Sequence, residues 1–89
     1  MIRLEVKFDN RSDKELIKML TDEQGEPSDS DSLTTSFMFD IDSDIKMQRG
    51  EYISFYRFTA IIDSVILSIE ESINECSLFY NCHAVNVIV

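Results

Sequence analysis

Ile2, Leu4, Val6 and Phe8 alternate with Arg3, Glu5 and Lys7, the two-residue period of a strand with one face buried. Ser12-Asp13-Lys14-Glu15 then has the pattern of a capping box and is followed by Leu16, Ile17, Met19 and Leu20. A short amphipathic helix over about 13–23 is predicted. Gly25 to Ser32 mixes helix breakers with side chains that bond their own backbone, giving a mobile acidic loop over 24–33. Leu33 to Ile41 reads as a strand with Phe37, Phe39 and Ile41 on one face.

Glu51 to Phe58 fits a strand by its aromatic content and a helix by the register it shares with the residues beyond Thr59. From Thr59 a helix is expected, because Phe55, Phe58, Ile62, Val65, Ile69, Ile73 and Cys76 recur at three- and four-residue steps, with Ile61 and Ile66 widening the stripe. A loop at 78–82 and a terminal strand over 84–89 complete the order β-α-β-(β)-α-β. The expected fold is α+β: two helices packed on one face of a three- or four-stranded, mainly antiparallel sheet.

Eighty-nine residues allow one domain, 1–89, with one core. No apolar run approaches the ~20 residues of a membrane span, and the amino-terminal segment alternates charges where a signal peptide would be apolar. A cytoplasmic protein without membrane contact is expected. The two cysteines, Cys76 and Cys82, are too few for a disulfide framework, so reduced thiols are expected.

Net charge changes the picture more. At −9, the chain is a poor ligand for nucleic acid and a good one for a basic protein. Between Met19 and Ile45 the charged residues are Asp22, Glu23, Glu26, Asp29, Asp31, Asp40, Asp42 and Asp44, with no Lys or Arg. Those eight carboxylates are the candidate partner-binding surface. Phe37, Phe39, Tyr52, Phe55, Tyr56 and Phe58 are interleaved with acidic residues where a base-stacking platform would carry basic ones, which assigns them to core or interface.

Asp40, Asp42, Asp44 and Glu51 occupy positions one, three, five and twelve of a calcium-loop spacing. Ile45 stands where that loop needs glycine, which favours an acidic turn over a metal site. Cys76, Cys82 and His83 lack zinc-site spacing and a fourth ligand. With a single histidine, no phosphate loop and no nucleophile motif, the sequence calls for neither catalysis nor a cofactor.

Ile61-Ile62-Asp63-Ser64-Val65 resembles the second helix of the small dimerisation subunit of the KEOPS (EKC) complex, and Leu4-Glu5-Val6-Lys7-Phe8 is similar to that family's first strand. The similarity extends over roughly residues 2–73, whereas Arg57, the 34–50 hairpin and the terminal strand depart from the family's pattern. The resemblance implies a non-catalytic, homodimerising accessory subunit of a tRNA threonylcarbamoyladenosine machine. In it Leu16, Leu20, Ile62, Val65 and Ile69 would divide between the core and a helix contact with the catalytic subunit. The competing expectation is an acidic inhibitor, such as an antitoxin, immunity protein or viral counter-defence protein, that covers the basic nucleic-acid-binding surface of a target enzyme.

Overall fold

The computed structural model describes residues 2–42, 46–55, 57–67 and 78–87. Their element order is β1 (Ile2–Asp9), α1 (Lys14–Gln24), β2 (Asp29–Ser30), β3 (Thr34–Ile41), β4 (Tyr52–Phe55), β5 (Phe58–Leu67) and β6 (Leu78–Val87). The six strands form one mixed sheet in the order β2-β3-β1-β6-β5-β4, in which only the β1–β6 pair is parallel.

The alternation in β1 is realised: Ile2, Leu4, Val6 and Phe8 are buried, while Arg3, Lys7 and Asp9 face solvent. Directly opposed residues of neighbouring strands share a face. Phe37 and Phe39 of β3 therefore join Val6 and Leu4 on the inner side, as do Tyr80 and Cys82 of β6. Leu16 and Leu20 of α1 are fully buried against this face.

The capping box is not formed at the start of α1. Instead the Asp9 carboxylate accepts from the amides of Arg11 (2.7 Å) and Ser12 (3.1 Å), and the Asp13 carboxylate accepts from the Asp9 amide at 3.0 Å. These bonds satisfy amides of the approach to the helix, which otherwise lack partners.

The sheet curls strongly around its inner face. β3 and β4 are separated by three strands, yet the rings of Phe39 and Phe55 lie 5.2 Å apart, centroid to centroid. Phe58 joins them at 4.7 Å from Phe55 and 5.1 Å from Phe8, mostly edge to face, the arrangement the ring quadrupole favours. The chain before β4 closes one end of this core. The Met47 amide donates to the hydroxyl of the fully buried Tyr80 at 2.9 Å, and Gln48–Glu51 make a turn with Gly50 at φ +90°. Positive φ at its third residue requires glycine or a close substitute.

The expected two helices on a three- or four-stranded antiparallel sheet are thus replaced by a six-stranded mixed sheet with one helix among the described residues. The difference lies in β5. Phe58, Ala60 and Ile62 point inward with period two, Ile62 opposite Cys82 and Ser64 opposite Asn81, which leaves Asp63 as an extra, bulged residue. After the bulge Val65 takes the inward register position, opposite Tyr80, although its side chain is exposed at 36%. Inward positions 58, 62 and 65 therefore carry the spacing of a helical stripe, although Thr59, Ile61, Ile62, Val65 and Ile66 are β-branched and suit a strand. The rest of the expected second helix, including Ile69, Ile73 and Cys76, lies outside the described residues. The expected loop at 78–82 is the first half of β6, and the 51–58 segment is a strand, β4, followed by the start of β5.

Candidate protein-binding edge

β2 and β3 form one flank of the sheet, and the acidic stretch of the sequence builds it. Asp22 and Glu23 sit exposed in the last turn of α1, Glu26 lies in the connection, Asp29 lies on β2, and Asp40 and Asp42 lie at and just beyond the end of β3. Gln24, the last residue of α1, lines a groove of about 270 Å³ with Met38, Phe39, Asp40, Ile41 and Phe55, so the acidic helix end lies beside the edge of β3. Asp44 lies outside the described residues.

Two of these carboxylates also hold the local structure. Asp31 accepts from the amides of Leu33 and Thr34, both at 2.8 Å, and these bonds hold its pKa below the ordinary carboxylate value. Asp40 faces the open side of the sheet and takes the Arg3 guanidinium through two bonds, 2.7 and 3.1 Å, which lowers its pKa too. Asp22, Glu26, Asp29 and Asp42 are exposed and take no part in these turns.

The calcium-loop spacing does not close into a site. Asp40 belongs to a strand and to Arg3, while the Glu51 carboxylate accepts from the Gln48 amide at 3.0 Å inside its own turn. Among the described residues no three His, Cys, Asp or Glu side chains are grouped to hold a metal ion.

Cys82 and His83 are neighbours in a strand and point to opposite faces. Cys82 is buried inward, where desolvation, helped by the charge of Asp63, pushes its thiol pKa up to about 12. His83 lies on the outer face with Nδ1 at 2.8 Å from both oxygens of Asp63, the residue that the bulge turns outward. Each partner is about half exposed, so the pair adds little stability.

The helix contact assigned to Ile62, Val65 and Ile69 changes character. Ile62 is in the core at 1% exposure, Val65 sits on β5, and Ile69 lies outside the described residues. Of the six aromatic residues assigned to core or interface, Phe37 and Phe58 are buried and Phe39 and Phe55 half-buried; Tyr52 is exposed, and Tyr56 lies outside the described residues. Two features were missed from sequence: the Asp63–His83 pair and the position of β3 near the sheet margin. The alternation of Phe37, Phe39 and Ile41 places Met38 and Asp40 outward, but which strand lies beside them is settled by residues distant in sequence. Among the described residues no helix is long and apolar enough to cross a membrane. Compared with known proteins, the chain matches no family model, no curated protein and no solved structure.

Proposed function

We propose that this protein is a non-catalytic protein-binding module whose acidic β2–β3 flank covers a basic surface on its partner, as an inhibitor of a nucleic-acid-binding enzyme would. One observation carries the proposal. Of the eight carboxylates between Met19 and Ile45, unbroken by Lys or Arg in sequence, the seven among the described residues (Asp22, Glu23, Glu26, Asp29, Asp31, Asp40 and Asp42) lie on the helix end, the connections and the two strands of a single flank. A predominantly acidic surface of this kind, in which Arg3 on Asp40 and Lys7 beside Asp29 and Asp31 offset part of the charge, concentrates a cationic partner and raises its association rate by roughly 10- to 1000-fold. It also repels acidic competitors, which is how charge confers specificity.

The test replaces the carboxylates that have no structural duty, as Asp22→Asn, Glu26→Gln, Asp29→Asn and Asp42→Asn, and leaves Asp31 and Asp40 intact. Tagged wild type and variant are used to capture partners from the native host at low and high salt, and association rates are measured for the proteins recovered. The expected result is a basic partner whose association slows about tenfold or more in the variant and, for wild type, with added salt, since exposed charges are screened beyond ~8 Å at physiological ionic strength. Equal capture and equal rates for wild type and variant at low salt would refute the proposal.

A further inference from the structure

β2 is two residues long and pairs with β3 only at Thr35 and Ser36. Just there, the carbonyls of Thr34 and Ser36 accept from the amides of Asp31 and Ser28, each at 2.9 Å, and so point away from β1. Backbone groups alternate between the two edges of a strand, so the N–H and C=O of Met38 and Asp40 point to that same outer side, beyond the end of β2. Among the described residues no strand pairs with them there. The stretch Phe37-Met38-Phe39-Asp40-Ile41 carries no proline, lysine or bulge, and of the devices by which exposed edges are usually blocked it has one charge, Asp40, which Arg3 neutralises.

From this we infer that the outer edge of β3 accepts an extended segment of the partner, alternating apolar with Lys or Arg residues, as an added strand. The inference rests on the acidic-flank function proposed above. Main-chain bonds to Met38 and Asp40 supply general affinity, and the two faces supply selection. Side chains on the inner face enter the groove lined by Gln24, Phe39, Ile41 and Phe55. Those on the outer face run beside Met38 and toward Asp29 and Asp42, at the two ends of the unpaired stretch. Charge complementarity makes the occupant basic and argues against a second copy, which would bring two acidic flanks together. The opposite margin of the sheet, β4, has the uncharged sequence Tyr-Ile-Ser-Phe and provides no such selection.

The experiment uses the full chain and four synthetic ten-residue probes: alternating Lys and Val, the same peptide with Glu for Lys, and the Lys–Val peptide N-methylated at alternate residues along one edge in each of the two phases. Affinity is measured by calorimetry and edge pairing by amide hydrogen exchange. The Lys–Val peptide is expected to bind and to slow exchange at Met38 and Asp40. The Glu peptide and the N-methylated peptide of one phase are expected to bind at least about tenfold more weakly, since that phase removes the peptide donors to the Met38 and Asp40 carbonyls. Met38→Pro, which deletes an outward donor without touching the β1 ladder, is expected to abolish binding; if that variant fails to fold, the exchange data on wild type decide.

Binding that is salt-sensitive but indifferent to N-methylation in either phase, with no protection at Met38 and Asp40, would overturn strand addition while leaving the acidic-flank function standing. Equal binding of Lys and Glu peptides would overturn both. Protection of the same amides in the protein alone, growing with its concentration, would identify the occupant as a second copy and overturn the inference, as would failure of the Lys–Val peptide to bind.

Discussion

Asp9 and Asp31 do the same job at opposite ends of the β1–α1–β2 excursion. Each accepts two backbone amides from residues two and three positions ahead, and each has a pKa lowered from 3.8 chiefly by those bonds. Asp40 is lowered by Arg3. A carboxyl whose pKa is lower folded than unfolded adds stability that is complete above the unfolded value and vanishes as pH falls through the folded one. The denaturant midpoint should therefore hold between neutral pH and about 5 and drop below about 4. Asp9→Asn with Asp31→Asn should flatten that drop, because the amide oxygen still accepts but no longer titrates. Midpoints measured from pH 5 to 2 check this; identical acid limbs in the two proteins would mean that these turns bind protons alike in both states. The sequence showed Asp31 as acidic and turn-prone, but it assigned Asp31 to the partner, since a turn acceptor and a binding group have the same side chain.

Within β5 the bulge at Asp63 decides which side chains face the core. Deleting Asp63 should leave Phe58, Ala60, Ile62, Ser64 and Val65 opposite their present partners, with only the His83 pair lost. Deleting Ile61 instead should turn Ile62 outward and carry Asp63 into the buried place opposite Cys82. The first variant is expected to unfold cooperatively near the wild-type midpoint. The second should lose about 3 kcal/mol or more, the cost of burying an unpaired polar group on top of a lost core side chain. Urea unfolding of the pair is the check, and equal damage from both deletions would rule out this register. The same bulge explains why β1 was legible from its alternation and β5 was not: one extra residue converts a period of two into a spacing that a helix shares.

The whole molecule carries a net charge of −9 on 89 residues and has a small core built around Phe8, Phe37, Phe39, Phe55 and Phe58. Domains of this size are stable by only ~5–10 kcal/mol, and like charges held close in the folded state subtract from that sum. Raising sodium chloride from low salt to about 0.5 M should thus raise the melting temperature by several degrees, because screening relieves more repulsion in the compact state than in the open one. The same salt should weaken capture of a basic partner. A melting temperature that falls with salt would show that attractive pairs such as Arg3–Asp40 outweigh the general repulsion.

Sequence alone determined what depends on near neighbours and on totals: the β1 alternation, the short helix after it, the inward face of β3, the acidic balance and the run of carboxylates without cations. These come from periodicity and composition, which a single segment contains in full. Only the tertiary structure decided the rest. Pairing β6 parallel to β1 places β5 and β4 on the far side of the sheet and leaves β3 near the opposite margin, and the curl that brings Phe39 to Phe55 joins residues with no local relation. Strand order, bulge position and place in the sheet are properties of partners, and a strand's own residues do not name the strand that will lie beside it.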